Sequence, residues 1–125
     1  MTSASPTAGR LESARNIWLA TVRPDGRPHL VPIWFVVDAG RWYICTGPES
    51  VKARNLQANP RVALALEDGD QPLVVEGTAR RVPPSPAVVR KFKDKFDWDI
   101  TTDADYSAVF EITVTRQVLG AANDA

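Results

Sequence analysis

The sequence predicts a mainly β domain, a six-stranded antiparallel barrel with two or three short helices. Six segments are rich in β-branched and aromatic residues, several alternate apolar and polar positions, and short turns join most of them. Closure of such a sheet removes its exposed edges, whereas a doubly wound parallel sheet would need more helices. The 125 residues support one domain. We expect it to span residues 10–125, after a disordered tail at residues 1–9.

The first two predicted strands, 16–23 and 28–37, form a hairpin. The turn between them contains Pro24 and Gly26, which fix one backbone angle and accept a positive φ at another. Pro32 interrupts the second strand and cannot donate a ladder hydrogen bond. We therefore expect a bulge or a sheet edge at Pro32.

Four further strands and two helices complete the prediction. Ser50 is a good N-cap for a helix through residue 58, and Ser85 followed by Pro86 marks the start of a second helix. Gly77 indicates a bulge in the fifth strand. The remaining strands are predicted at 41–46, 61–67, 72–82 and 107–118, and the second helix buries Val88, Val89, Phe92 and Phe96.

Composition excludes several classes of protein. Lys plus Arg and Asp plus Glu both number 15, and zero net charge argues against a protein that binds duplex nucleic acid. The longest nearly apolar stretch, 30–37, falls far short of the roughly 20 residues of a membrane span. The N-terminus has no apolar signal core, so we expect a cytoplasmic protein. One cysteine and one histidine leave no disulfide framework and no basis for a Cys/His metal site.

The most informative segment is the strand-to-helix junction, residues 46–54. A strand ends there in a hydroxyl and a glycine, and a capped helix follows. Free N–H groups at a helix start favour an anion, Thr46 and Ser50 add hydroxyls, and Lys52 and Arg54 add charge. The junction is therefore either a phosphate site or a capped surface helix with solvated cations.

Other candidates are weaker. The segment 31–34 around Pro32 offers either a flat apolar surface for a planar ring or a simple edge-strand bulge. His29 is either a polar contact to a ligand or, as we favour, a surface or hydrogen-bonded histidine. Cys45 fits a small core residue better than a nucleophile, since no histidine lies nearby in sequence. The four aspartates of 97–105 lack calcium-loop spacing and indicate a solvated acidic loop.

The chain resembles the pyridoxamine-phosphate-oxidase-like split β-barrel superfamily over residues 11–120. The segments that carry the resemblance are "RPHLVPIWFVV", "RWYICTG", "SVKARNLQANPRVAL" and "VVEGTARRV". The pattern S-x-K-x-R-N-L-x-x-N-P-R-V is their most specific part. Within the superfamily the chain is most similar to the smaller branch of flavin/deazaflavin oxidoreductases of actinobacteria.

This resemblance implies a homodimer with two cofactor sites at the subunit interface. The cofactor implied is the deazaflavin coenzyme F-420, with FMN in other branches. By position, the implied contacts are Lys52 and Arg54 with the cofactor phosphate, Thr46 and Ser50 as hydroxyl donors, Val31, Pro32 and Ile33 along the ring, and Arg61 with the acidic tail. Asn55 and Asn59 match the motif, and we interpret them mainly as helix termination and interface residues.

The resemblance also implies hydride transfer without an obligatory acid–base residue, because the cofactor carries the chemistry. We therefore expect an F-420-dependent reductase of a conjugated small molecule. The expected pocket walls are Trp34, Trp98 and Tyr106, the last two reaching across from the partner subunit. Alternatives are an FMN oxidoreductase of the same fold, a non-catalytic binder of flavin or F-420, and a purely structural dimer. The ending GAANDA lacks basic residues, so oxidation of pyridoxamine phosphate itself is not expected.

Overall fold

The computed structural model describes residues 6–120, and side chains from residue 9 onwards. Three α-helices and seven β-strands make up this part of the chain. In order they are α1 (Pro6–Ser13), β1 (Asn16–Val22), β2 (Pro28–Trp34), β3 (Val36–Asp38), β4 (Arg41–Thr46), α2 (Val51–Ala58), β5 (Arg61–Leu66), β6 (Val74–Arg81), α3 (Pro86–Phe96) and β7 (Ala108–Leu119). Two single 3₁₀ turns, Ile100–Thr102 and Ala104–Tyr106, lie between α3 and β7.

All seven strands belong to one sheet with the order β2-β1-β5-β6-β7-β4-β3, and every pairing is antiparallel. The two edge strands are β2 and β3, and they are separated in the chain only by Phe35. Because one residue spans the gap between opposite edges, the sheet curls almost into a closed barrel at this point. The fold is a split β-barrel, mainly β, as the sequence predicted.

The strand count differs from the prediction, seven instead of six. The segment 28–37 is not one strand, because the chain leaves one edge of the sheet at Trp34 and joins the other at Val36. Phe35 is fully buried there and stacks on Trp42, with ring centroids 5.3 Å apart. The chain crosses between the two sheet edges here because the crossing buries the Phe35 ring inside the barrel.

Two hydrophobic clusters hold the fold. The larger fills the barrel and includes Ile17, Leu19, Ile44, Leu64 and Ile112. The smaller packs α3 on the opposite face of β3, β4 and β7, through Val88, Phe92 and Phe96. The predicted apolar stripe of α3 is confirmed, although Val89 is only partly buried.

Several local predictions are confirmed. Ser50 and Ser85 are N-caps whose hydroxyls accept from Ala53 N and Val88 N. Pro32 lies on an edge strand, opposite Trp18 of β1. The ladder between β6 and β7 shifts register at Gly77, where a Cβ would lie 2.3 Å from the Thr113 carbonyl oxygen.

The prediction of a disordered tail at residues 1–9 is wrong for residues 6–9. Helix α1 already begins at Pro6, so residues 6–9 are helical, and residues 1–5 lie outside the described part of the chain. The acidic segment 97–105 also contains more structure than a loop, because Asp99 and Asp103 each cap a 3₁₀ turn. Among residues 6–120, none of the helices has the length and apolar character needed to cross a membrane.

Candidate functional site

A cavity of about 800 Å³ opens between the β2 edge, the strand-to-helix junction and the 3₁₀ turns before β7. Its volume lies within the range of small-molecule and cofactor sites, about 300–1,000 Å³. It brings together eight of the eleven residues singled out from the sequence. These eight are Pro32, Ile33, Trp34, Thr46, Ser50, Lys52, Trp98 and Tyr106, and the cavity is also lined by Asn16, Cys45, Gly47, Asp103 and Asp105.

The β2 edge forms the apolar side of this cavity. Pro32, Ile33 and Trp34 are consecutive and all line it, although neighbouring side chains of a strand point to opposite faces. The backbone at this edge of the sheet therefore forms the rim of the cavity together with the side chains. Pro32 has no N–H to leave unpaired at this rim. The rim offers an apolar ledge; the sequence had left open whether this segment carries a planar ring or is a simple edge-strand bulge.

The strand-to-helix junction forms the polar side. The hydroxyl oxygens of Thr46 and Ser50 are 2.9 Å apart, and Ser50 Oγ also accepts from the Ala53 N–H at 3.2 Å. One of the two hydroxyl protons makes the bond between them. The other stays free to donate to a ligand.

Lys52 adds a positive charge to the lining of the same cavity. Its side chain is half-buried, and this burial lowers the pKa of its ammonium group. Within the described residues, no carboxylate lies in ion-pair distance of Lys52. A partly desolvated cation without a counter-ion, next to a helix start with free amides, is a favourable environment for a phosphate.

The aromatic side of the cavity is one connected cluster. Trp34 stacks on Phe96, with centroids 4.4 Å apart and planes 10° from parallel. Trp98 meets Trp34 edge-on at 5.9 Å and Tyr106 at 5.7 Å. Trp34 and Tyr106 remain exposed despite these contacts, at 38% and 47%. All three cavity-lining rings belong to the same chain as the junction, so their presence does not require a partner subunit.

Two aspartates, Asp103 and Asp105, line the aromatic side. Asp103 accepts from Trp98 Nε1 at 3.0 Å and from the Asp105 N–H at 3.2 Å, which orients both the indole and the 3₁₀ turn. This turn packs closely against the junction: a Cβ on Gly47 would lie 3.1 Å from the Asp105 carbonyl oxygen. Because residue 47 is a glycine, the 3₁₀ turn that contains Asp105 can approach the strand-to-helix junction closely.

Cys45 lies on the cavity floor, only 5% exposed. Burial, and to a smaller extent the charge of Asp103, raises the pKa of its thiol to about 12. The thiol therefore stays protonated near neutral pH, and a thiolate nucleophile is not formed. The interpretation of Cys45 as a small core residue is confirmed.

His29 is partly exposed, in line with a surface histidine, but its ring is not hydrogen-bonded at Nδ1. It pairs with Thr21 in the β1–β2 ladder, and its Nδ1 atom is buried without a hydrogen-bond partner in the described part of the chain. Burial lowers the pKa of the imidazole, and the charges of Arg23 and Lys52 lower it further. His29 is therefore neutral near pH 7, and its environment is positive.

Three residues singled out from the sequence do not line the cavity. Val31 is half-buried on β2, Arg54 is exposed on α2, and Arg61 lines a separate groove with Ala20 and Thr78. Asn55, interpreted as a helix-terminating or interface residue, has a different role. Its side chain is 2% exposed and donates to Thr21 Oγ1 at 2.9 Å, which ties α2 to β1.

Sequence reasoning missed Asn16, Asp103 and Asp105 as parts of the site, and it included Gly47 only as part of the junction 46–54. Gly47 carried a signal, since it follows a strand and precedes a capped helix, where close backbone approach is common. The two aspartates carried none, because their position depends on how α3 and the 3₁₀ turns pack.

Comparison with known proteins places this geometry in a family. A family model described as pyridoxamine 5'-phosphate oxidase matches residues 7–118. The chain belongs to this family. The resemblance to the split β-barrel superfamily is confirmed by this match and by the fold.

Two relatives of this family member are informative at the sequence level. The solved structure of an F420 reductase is 31% identical, with a TM-score of 0.74, and the alignment covers 91% of this chain and 97% of that one. A 5a,11a-dehydrotetracycline/5a,11a-dehydrooxytetracycline reductase of Streptomyces rimosus is 38% identical over 76 residues, which cover 52% of this chain and 54% of the relative. The match therefore spans about half the length of that curated relative. Both agree with the oxidoreductase branch indicated by the sequence.

The same fold also occurs in a more distant protein. The haem storage protein HutZ of Vibrio cholerae has a TM-score of 0.75 and 22% identity, over 90% of each chain. At this identity the likeness concerns the fold alone.

Proposed function

We propose that this family member is an F-420-dependent oxidoreductase that transfers hydride from the reduced deazaflavin to a conjugated small molecule. The observation that carries the proposal is the half-buried Lys52, which has no carboxylate partner among the described residues and lines the same cavity as the hydroxyl pair of Thr46 and Ser50. The likeness to an F420 reductase at 31% identity supports F-420 over FMN. We further propose that the reaction takes place in the cytoplasm.

The residues present fit a flavin-like group. Lys52, Thr46 and Ser50 would hold its phosphate, and the ledge of Pro32 and Ile33 would carry its ring. When bound, the deazaflavin supplies the hydride, and the chain supplies orientation and a water-poor surface.

The chain's own residues divide this task between them. Lys52 offers charge and the hydroxyl pair offers one free donor, so an ammonium and an oriented O–H would hold the phosphate. Pro32 and Ile33 would shield the apolar surface of the ring from water. Trp34, Trp98 and Tyr106 line the space next to the ledge, where an acceptor would lie. Cys45 contributes no proton transfer, because its thiol pKa is about 12.

We propose that the protein works as a homodimer built on the outer face of β1 and β2. Trp18, Val22 and Leu30 are exposed on this face, at 40%, 36% and 60%. Pro32 pairs with Trp18 in the ladder and also lines the cavity, so the face continues into the site. A second copy covering this apolar surface would also shield the cavity rim. Sedimentation should show a dimer for the wild type and a monomer for Leu30→Asp; a wild-type monomer at micromolar concentration contradicts the dimer.

The test of the function is a titration of the purified protein with F-420 and with FMN side by side, followed by fluorescence. We expect F-420 to bind more tightly than FMN. The Lys52→Ala variant should weaken cofactor binding by about 1.5–3 kcal/mol, the value of a charged hydrogen bond. Lys93→Ala, at an exposed lysine of α3 that pairs with Asp97, is the matched control and should bind as the wild type does.

An unchanged dissociation constant for Lys52→Ala contradicts the phosphate assignment. Tighter binding of FMN than of F-420 contradicts the choice of cofactor. Binding without reduction of any conjugated acceptor by the reduced cofactor contradicts the enzymatic function and leaves a cofactor-binding protein.

A further inference from the structure

The charges in the cavity are unequally distributed. Among the described residues that line it, three are charged: Lys52 at the junction, and Asp103 and Asp105 at the aromatic side. The cavity therefore carries more negative than positive charge before anything binds. A phosphate held by Lys52 would neutralise the cation and leave the two carboxylates uncompensated.

Neither carboxylate has a cation within ion-pair distance in the part of the chain that the structure describes. In residues 6–120, no ion pair involves Asp103 or Asp105. Asp103 is nevertheless held in place, because Trp98 Nε1 and the Asp105 N–H both donate to it. Its field reaches the cavity floor, where it helps to raise the pKa of the Cys45 thiol. A fixed, uncompensated carboxylate of this kind attracts a cation.

The neighbouring aromatic rings favour the same charge. Trp34, Trp98 and Tyr106 line the cavity, and the faces of such rings attract cations through their quadrupoles. The cluster already shows this property outside the cavity lining, where the Arg15 guanidinium lies 5.2 Å from the Trp34 ring centroid and 4.8 Å from that of Phe96. Flat rings and carboxylates on one side of a cavity select a ligand that is both planar and positively charged.

We infer that the acceptor taken by this cavity is a flat conjugated molecule that carries a positive charge next to Asp103 and Asp105. This inference rests on the proposed function, since it concerns the substrate of the same site. It makes Asp105 a residue that determines specificity through charge, and Asp103 a residue that also positions Trp98.

The test compares two probes of nearly equal shape, N-methylacridinium, which is a cation, and acridine, which is neutral at pH values above 7. Their binding is measured by fluorescence on the cofactor-free protein, and again with F-420 or FMN present. We expect the wild type to bind the cation at least about fivefold more tightly than acridine, as expected for two carboxylates and an aromatic cluster. The preference should increase when a phosphate-bearing cofactor occupies the junction.

The variant that isolates the charge is Asp105→Asn, because no hydrogen bond to the Asp105 carboxylate is lost with it in the described contacts. We expect it to lower the cation-to-neutral preference about two- to fivefold, the value of one exposed charge pair, and to leave acridine binding unchanged. Asp70→Asn, at an exposed loop carboxylate that does not line the cavity, is the matched control and should keep the full preference.

The outcomes separate this inference from the proposed function. Cofactor binding with equal affinity for the two probes, or with no binding of either, overturns the inference and leaves the proposed function standing. A charge preference that Asp105→Asn does not reduce also overturns it. A charge preference in a protein that binds neither F-420 nor FMN overturns the proposed function instead.

Discussion

The hydroxyl oxygens of Thr46 and Ser50 lie 2.9 Å apart, and this contact joins the last residue of β4 to the cap of α2. Ser50 Oγ therefore has two roles. It caps a helix through the Ala53 N–H, and it belongs to the hydroxyl pair that faces the cavity.

Replacement of Ser50 by alanine should affect stability and binding together. We expect Ser50→Ala to lower the free energy of unfolding by about 1 kcal/mol, the usual cost of a lost N-cap. It should also weaken cofactor binding, because the oriented O–H donor is lost. Urea denaturation and a fluorescence titration measure the two effects.

The chain offers a matched control in Ser85, which caps α3 by the same kind of bond to the Val88 N–H but does not line the cavity. Ser85→Ala should lose similar stability and keep the wild-type affinity. If the two variants lose affinity equally, Ser50 has no special role in the site.

The pH dependence of stability should report on His29. Its pKa is lowered by burial and by the charges of Arg23 and Lys52, so the unfolded chain takes up a proton more readily than the folded one. Stability is then lost as the pH falls through about 6.5, the ordinary value for histidine. We expect His29→Gln to lose less stability than the wild type between about pH 7 and about pH 5.5, as measured by urea denaturation.

The same comparison needs a buffer without phosphate, because an anion at Lys52 would offset the positive charges near the imidazole. Parallel pH profiles for the wild type and His29→Gln would show that His29 does not contribute to the dependence on pH.

A substitution at Gly77 tests the register shift between β6 and β7. A Cβ at this position would lie 2.3 Å from the Thr113 carbonyl oxygen and 3.1 Å from the carbonyl carbon, so the ladder must move to accept it. We expect Gly77→Ala to lower the free energy of unfolding by about 1–3 kcal/mol, the usual cost of overpacking. Gly69→Ala is the control, since no atom lies within 4 Å of its added Cβ. Equal stability of the two variants in urea denaturation would contradict the close approach at Gly77.

Local features of the fold were predictable from the sequence. The caps at Ser50 and Ser85 depend on neighbouring residues in the chain, and the glycine at position 77 marks an irregularity that arises against Thr113 of β7. The division of 28–37 at Phe35 was not predictable in this way. Its composition is that of one strand, and what divides it is the packing of Phe35 on Trp42, which lies across the barrel.

The candidate site was predictable to a similar extent. Residues from two local motifs, such as Pro32 and Lys52, meet in one cavity because the fold of the family brings the β2 edge to the junction. Arg54 belongs to the same motif as Lys52 yet lies on the exposed face of α2, since a helix turns by about 100° per residue and separates positions two apart. The aspartates at 103 and 105 joined the site through tertiary packing alone.

The bond between Asn55 and Thr21 ties α2 to β1 outside the cavity, the sequence did not reveal it, and its loss tests how α2 is held. Both side chains are almost fully buried, at 2% and 1% exposed, and they are 34 positions apart in the chain. Thr21→Val keeps the shape of the side chain but leaves the Asn55 amide without its acceptor. We expect it to lower the free energy of unfolding by about 1–3 kcal/mol, the cost of a buried unpaired polar group.

Asn55→Ala should lower the free energy of unfolding by a similar amount. The double variant should lose less than the sum of the two single variants, with a coupling energy of about 0.5–3 kcal/mol in urea denaturation. Because α2 also carries Lys52, loosening this contact should weaken cofactor binding in both single variants. Additive losses of stability would show that the two side chains do not interact, and that α2 is held on the barrel by its apolar contacts through Ala53 and Leu56 alone.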